Sequence, residues 1–133
     1  MIALAMYKQP GLFFDKVVRW KTNSLYSHCE LVIGDWCYSS SPRDGGVRKT
    51  KIDLSNWDVL NLHVEDQKVQ DILKFYSQTE GLPYNYWGIL FNQTLRINEF
   101  KNRGSYFCSE WCAAALGVPN PSTYSPQKLY DLG

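Results

Sequence analysis

The chain has 133 residues, a formal net charge of +1, and 44% apolar against 20% charged residues. This length predicts one domain over residues 1–133, and the near-neutral charge offers no basic footprint that would make nucleic acid a partner. Four cysteines are too few for a disulfide scaffold in a chain of this length, so we expect free thiols in a reducing compartment.

Five stretches have the composition or the alternation of β-strands. In chain order they cover residues 2–7, 27–33, 36–41, 47–51 and 57–64. The first is interpreted as a buried strand and not as a signal peptide, because no basic region precedes it and Lys8 and Pro10 follow it closely. Gly34 and Asp35 separate the second and third stretches, which predicts a hairpin with a two-residue turn.

Five further stretches predict helices, from apolar residues at helical spacing or from start and stop signals. They cover residues 12–21, 66–78, 84–92, 108–116 and 126–130, with a polar loop over 93–106. Ser125 and Pro126 open the last helix as N-cap and first-turn proline. Strands and helices occur in separate blocks, which predicts an α+β fold with an antiparallel sheet packed against helices. No stretch approaches the roughly 20 apolar residues of a membrane span, so we expect no transmembrane segment and a cytoplasmic protein as synthesised.

A cysteine opens the predicted helix near the C-terminus. Cys108 stands before an Ala-rich run that ends at Gly117, so it would lie at the helix N-terminus. Free backbone N–H groups and a partial positive charge there lower the pKa of a thiol and make it a usable nucleophile. Cys112, one turn further along, is expected to be buried and inert. Of the two histidines, His28 begins a strand at the rim of the sheet and is the better partner base, whereas His63 has the position of a surface residue.

The predicted hairpin places a polar face around His28. Counting back from the two-residue turn sets Glu30 opposite Ser39 and His28 opposite Ser41, and residues directly opposite share a face of the sheet. A polar patch beside one histidine is what an imidazole-orienting site requires. We therefore expect Glu30 or Ser39 to orient the imidazole, provided that the hairpin register does not slip by one residue.

The order of short motifs along the chain resembles that of the circularly permuted NlpC-type, papain-like cysteine hydrolases. In that group a Ser-His strand is followed by a hairpin partner, a Gly-Val segment, a tyrosine-containing helix and a Cys-Ser-Glu helix. The matching segments here are Tyr26-Ser27-His28, Gly45-Gly46-Val47, residues 83–88, Phe107-Cys108-Ser109-Glu110 and Ser125-Pro126. The match spans nearly the whole chain. Relatives of the group include a bacterial lipid-amidase branch and, more distantly, lecithin retinol acyltransferase.

The resemblance implies a permuted papain-like fold and a thiol hydrolase without a metal or other cofactor. It implies Cys108 as the nucleophile and His28 as the base, acting through an acyl-thioester on an amide or acyl bond. The backbone N–H of Cys108 would stabilise the oxyanion, with Tyr84 as a second donor by similarity. The chain departs from the pattern at the third catalytic residue, because Ser39 lies where many relatives have an acidic or basic residue. Glu30 is the expected substitute.

The loop after the hairpin supplies candidate substrate contacts, namely Arg43, Asp44 and Arg48. The substrate class implied by the resemblance is a peptide or another acyl-containing molecule, and cell-wall peptide of peptidoglycan is the first candidate. Small size and the lack of a signal peptide favour a bacterial or phage source. Selective thiol labelling would separate a hydrolase from the binding module described below, and a metal assay would separate both from the zinc protein.

Two other functions stay open at this point. The first is a binding module that keeps the fold without turnover, a reading that the missing third carboxylate favours slightly. The second is a zinc protein that uses the four cysteines and His28. The spacings Cys-x7-Cys and Cys-x3-Cys are unusual for zinc ligands, so the sequence gives this second alternative little support.

Overall fold

A computed structural model of the chain describes residues 2–7, 28–41, 44–84, 106–124 and 126–132. The strands are β1 (Ile2–Tyr7), β2 (His28–Ile33), β3 (Trp36–Ser41), β4 (Gly46–Thr50) and β5 (Asp58–Leu62). The helices are α1 (Asp66–Thr79), α2 (Cys108–Ala115) and α3 (Pro126–Leu132), with a short 3-10 turn at Pro121–Thr123 before α3. The helix predicted over residues 12–21, nearly all of the helix at 84–92, the loop at 93–106 except its last residue, and the N-cap Ser125 lie outside the described residues.

The five strands form one antiparallel sheet in the order β4-β3-β2-β1-β5. The α+β class is therefore confirmed, with an antiparallel sheet packed against helices. The predicted hairpin is also confirmed, since Ile33 pairs with Trp36 around Gly34 and Asp35. Gly34 has a φ of 61°, and glycine is the residue that takes a positive φ at the first central position of such a turn at little cost.

Predicted and observed element ends differ by one or two residues in several places. Strand β5 is shorter than the alternation over 57–64 suggested, β4 begins one residue earlier than expected, and α1 runs one residue further. The sheet accounts for β5: within the described part of the chain it lies at the edge beside β1, which pairs with it from Asp58 to Leu62. Alternation marks which residues can lie on a face, but the length of the partner strand decides where the pairing stops.

The core lies between the sheet and helices α1 and α2. Helix α2 has seven buried residues, so it is enclosed on nearly all sides. Trp111 anchors it: the ring is fully buried against Phe75 and Tyr76, and its indole N–H donates to Thr79 at 2.8 Å. Burial of a tryptophan with its one donor satisfied fixes the helix against α1. This anchoring matters because α2 carries Cys108 at its first turn.

Strands β2 and β3 pair regularly only near their turn. The register covers Leu31 to Ile33 against Trp36 to Tyr38, and among the described residues it does not continue to the far ends of the two strands. The Ser40 hydroxyl instead donates to the backbone carbonyl of Tyr106 at 2.6 Å, just before α2. The two strands therefore separate where the N-terminus of α2 packs against them, and backbone groups of β2 become available there.

Candidate active site

Cys108 is the first residue of α2, as the sequence predicted. The preceding residue, Phe107, has an extended backbone, so the helix begins at Cys108. The backbone N–H groups of its first turn therefore have no acceptor within the helix. The Cys108 side chain is fully buried. A substrate or an alkylating reagent can therefore reach the sulfur only if the structure opens there. Where two variants open to the same extent, the ratio of their alkylation rates reports the ionisation of the thiol.

His28 is the first described residue of β2, directly opposite Tyr7 on β1. Its ring meets Trp57 edge-on at a centroid distance of 6.3 Å. The Nε2 atom is hydrogen-bonded to the Glu30 carboxylate. The Nδ1 atom is buried, and by distance and angle it has no regular hydrogen-bond partner among the described residues. Nε2 of His28 thus faces the Glu30 carboxylate, which leaves Nδ1 to interact with the Cys108 thiol.

The side chains of His28 and Cys108 interact closely enough to change each other's ionisation. Burial by itself lowers the pKa of His28, but the charges of Glu30 and Cys108 raise it to about 10. Burial by itself raises the pKa of Cys108, but contacts with Cys29 and His28 lower it well below the usual range. Both directions favour a thiolate on Cys108 and an imidazolium on His28. Since Nδ1 lacks regular hydrogen-bond geometry, we attribute the pairing to charge attraction across a loose contact, as is common in sites without substrate.

Cys29 lies beside Cys108 and was not among the site residues that the sequence analysis predicted. Both the Cys29 backbone and its thiol are hydrogen-bonded to Cys108, which favours the thiolate. The backbone N–H can do this because β2 and β3 have separated at this level. The Cys29 thiol also lies 3.6 Å from Cys112, whose predicted burial is confirmed.

Glu30 is fully buried and makes the strongest polar contacts of the site. Arg48 on β4 donates to both of its oxygens, at 2.6 and 2.7 Å, and the Arg48 Nε donates to Asp44 at 2.7 Å. Burial raises the pKa of Glu30, but the charge of His28 and the Arg48 hydrogen bonds outweigh it and lower the pKa below its usual value. Glu30 is therefore ionised, and its negative charge holds the proton on His28.

Tyr84 lies beside Cys108. Its side chain is buried. Burial raises the pKa of Tyr84 well above the usual value, and the charge of Cys108 and the proximity of its sulfur raise it further. The backbone N–H of Cys108 also interacts with the Tyr84 hydroxyl. The two donors proposed for the oxyanion are thus neighbours, although their role in catalysis stays a prediction.

The remaining predicted residues have different surroundings. Ser39 is buried and donates to the Ser40 carbonyl at 3.4 Å, and its contacts among the described residues do not include His28. Arg43 lies outside the described residues. Asp44 and Arg48 line a cavity of about 290 Å³ beside His28 and Glu30, which Tyr7, Ser41, Thr50, Lys51, Ile52 and Trp57 complete. Their predicted contact with substrate stays untested, but both are already engaged in the Glu30 network.

Searches of the sequence against protein-family models and against curated proteins found no match. The site therefore has to be interpreted from its own chemistry. No group of three or more His, Cys, Asp or Glu side chains within the described ranges is arranged to hold a metal ion. Over the same part of the chain, every helix is too short or too polar to cross a membrane.

Glu110, two residues after the nucleophile, has an unusual ionisation. Its carboxylate accepts the backbone N–H of Phe107 at 3.2 Å and is almost completely buried. Burial raises its pKa to about 7, against a smaller lowering by the Phe107 hydrogen bond. Below neutral pH the side chain is therefore mostly protonated, and it does not add a second negative charge beside the Cys108 thiolate.

This ionisation predicts a pH-dependent effect of Glu110→Gln on stability. A carboxyl whose pKa is raised on folding contributes stability that is complete below its unfolded pKa and is lost as the pH rises through about 7. The glutamine cannot ionise, so we expect the variant to gain about 2–3 kcal/mol relative to the wild type between pH 5 and pH 8. Urea unfolding of the variant and of the wild type at both pH values measures this difference. The other titrating groups are the same in both proteins, so their contributions to the free energy of unfolding cancel.

Glu65→Gln is the matched control, because Glu65 is exposed immediately before α1. Its effect on the free energy of unfolding should be small and the same at both pH values. A Glu110→Gln effect that does not change with pH would contradict the assigned ionisation.

Proposed function

We propose that this protein is a cysteine hydrolase of the permuted papain-like type that cleaves an amide or acyl bond. The observation that carries the proposal is the position of Cys108 at a helix N-terminus beside His28, whose Nε2 is hydrogen-bonded to the buried carboxylate of Glu30. A low-pKa thiol next to a charged histidine is the arrangement that makes cysteine nucleophilic near neutral pH. Peptide bonds, including those of peptidoglycan, are the first candidates for the substrate.

The reaction would proceed in two halves. The Cys108 thiolate adds to the carbonyl carbon of the substrate, and the developing oxyanion is stabilised by the Cys108 backbone N–H and the Tyr84 hydroxyl. His28 gives its proton to the leaving amine or alcohol, and the acyl group stays on sulfur as a thioester. Neutral His28 then takes a proton from water, hydroxide attacks the thioester, and the thiolate and imidazolium are restored.

Glu30 supports this cycle without exchanging protons itself. Its carboxylate faces Nε2, so it stabilises the imidazolium and keeps Nδ1 directed to the sulfur. This is the orienting role that a third residue has in triad hydrolases. In the proposed mechanism Glu30 takes that role, and Ser39 does not contact the ring.

A comparison of the wild type with Cys108→Ala on peptidoglycan fragments and on a panel of acyl lipids tests the proposal. We expect product with the wild type alone, and hydroxylamine added during turnover should trap the acyl group as a hydroxamate. Cys37→Ala is the matched control, because Cys37 is a buried thiol on β3 and is expected to leave turnover intact. Equal turnover by Cys108→Ala would exclude Cys108 as the nucleophile.

The complete burial of Cys108 favours a second candidate, a binding module with the same fold and no turnover. Thiol labelling separates the two candidates without knowledge of the substrate. In a hydrolase, iodoacetamide at neutral pH should modify Cys108 much faster than Cys29, Cys37 or Cys112. Equally slow labelling of all four cysteines would support the binding module.

A further inference from the structure

Arg48 makes a pair of hydrogen bonds to Glu30 that fixes the plane of the carboxylate. Its Nη1 donates to one oxygen at 2.6 Å and its Nη2 to the other at 2.7 Å. Two parallel hydrogen bonds allow one relative orientation of the guanidinium and the carboxylate, whereas a single bond allows the carboxylate to rotate. The oxygen that receives Nη2 is also the oxygen that faces His28 Nε2. The plane of the imidazole is therefore linked to that of the guanidinium through one carboxylate.

The sheet explains how an arginine can reach this position. Strand β3 lies between β2, which carries Glu30, and β4, which carries Arg48. Ser39 is the residue of β3 directly opposite Arg48. Its short side chain leaves space above the sheet, and the long arginine side chain crosses that space to the buried carboxylate. Ser39 therefore has a structural use that differs from the imidazole contact expected of it.

The guanidinium is itself held on its other side. Its remaining Nε donates to Asp44 at 2.7 Å, and the Asp44 side chain is about half exposed. The hydrogen bond from Arg48 lowers the pKa of Asp44, so this carboxylate is charged at neutral pH. The described network runs from Asp44 at the surface through Arg48 and Glu30 to the imidazole of His28.

We propose that Arg48 is a positioning residue of the active site, which holds Glu30 so that His28 keeps Nε2 on the carboxylate and presents Nδ1 to Cys108. Asp44 fixes the guanidinium from the solvent side. The inference rests on the proposed function, because it assigns a role within the Cys108–His28 pair. It gives Arg48 a task different from the substrate contact that its loop position predicted.

The pH dependence of Cys108 alkylation by iodoacetamide in Arg48→Lys tests this role. Lysine keeps the positive charge but donates from a single point, so it cannot hold both carboxylate oxygens in one plane. We expect the alkylation rate at pH 6 to fall about 10-fold, which corresponds to a change of about one unit in the pKa that limits the thiolate fraction. The midpoint of the rate profile should move to higher pH. The titratable groups that interact with the pair are Glu30, Asp44, Cys29 and Tyr84.

The controls separate positioning from other roles of Arg48. Lys49→Ala removes an exposed cation from the same strand and should leave the profile unchanged. If Arg48 forms only a structural ion pair, Arg48→Lys should lower the unfolding midpoint without moving the alkylation profile. If Arg48 instead contacts substrate, Arg48→Lys should change KM alone. Either result, with a native circular dichroism spectrum, would overturn the proposal.

A second variant keeps the test decisive if Arg48→Lys does not fold. Asp44→Asn leaves the Arg48–Glu30 hydrogen bonds in place and weakens only the contact between Arg48 and residue 44. We therefore expect a folded protein in which alkylation of Cys108 at pH 6 is about 3-fold slower, a smaller effect than that of Arg48→Lys. No change would overturn the role of the network. Unselective labelling of the wild type would overturn the proposed function itself, a result distinguishable from a failure of the Arg48 inference.

Discussion

His28→Gln is expected to slow the alkylation of Cys108 at pH 6 by about 100-fold. Glutamine can still donate to Glu30, but it cannot carry the positive charge that lowers the pKa of the Cys108 thiol. Burial, which raises that pKa, is then opposed by the Cys29 hydrogen bonds but no longer by a positive charge on the imidazole. A thiol with an ordinary pKa of about 8.5 is less than about 1% ionised at pH 6. Only the thiolate reacts with iodoacetamide, so the rate follows this fraction.

The measurement is the alkylation rate of each cysteine between pH 5 and pH 9, followed by peptide mass spectrometry. In the wild type the Cys108 rate should stay high down to low pH, because the thiolate survives there. In His28→Gln it should rise steeply only above pH 8. His63→Gln provides the control, since His63 is exposed and lies after β5, and its profile should match the wild type. A wild-type profile in His28→Gln would mean that His28 does not activate the thiol.

Gly46→Ala is expected to cost about 3 kcal/mol or more of folding free energy. A Cβ at this position would lie 2.0 Å from the Leu82 carbonyl oxygen, which cannot move aside because it accepts the backbone N–H of Val47 at 2.9 Å. Gly46 also has a φ of 155°, a conformation that side chains rarely adopt. Overpacking against backbone typically costs about 1–3 kcal/mol, and the unfavourable φ adds to it.

The clash also has a consequence for the site. The Leu82 segment leads to Tyr84, whose backbone N–H donates to the Gly45 carbonyl at 3.0 Å. A displaced segment would therefore move the hydroxyl that lies beside Cys108. Gly45→Ala is the matched control: its φ of 81° is also unfavourable, but nothing lies within 4 Å of the added Cβ. Urea unfolding should show a cost of about 1 kcal/mol for the control. Equal costs for both variants would contradict the steric argument.

Local signals in the sequence were enough to predict much of the fold. The turn at Gly34 and Asp35, the strand at residues 2–7 and the start of α2 at Cys108 all follow from neighbouring residues, and all three are confirmed. These features depend on backbone conformation within a few positions. Element ends such as that of β5 were less accurate, because a partner strand decides them.

The site likewise has features that neighbouring residues determine and features that only distant residues determine. The helix start at Cys108 and the strand start at His28 could be predicted, and in the structure the two side chains interact. The choice between Glu30 and Ser39 could not be made, because both were expected on one face. The bidentate contact from Arg48 separates them, since it makes a buried and charged Glu30 possible.

The sequence by itself determined which residues can carry the chemistry, since a thiol at a helix start and a histidine at a strand start are local features. Tertiary structure alone decided their ionisation. The pKa shift of Cys108 arises from burial and from Cys29 and His28, which lie on another element far away along the chain. That of His28 arises from burial, from Glu30 on the same strand and from the distant Cys108. Electrostatic energy depends on distance through space and on exclusion of water, and neither quantity is written in the order of residues along one strand or helix.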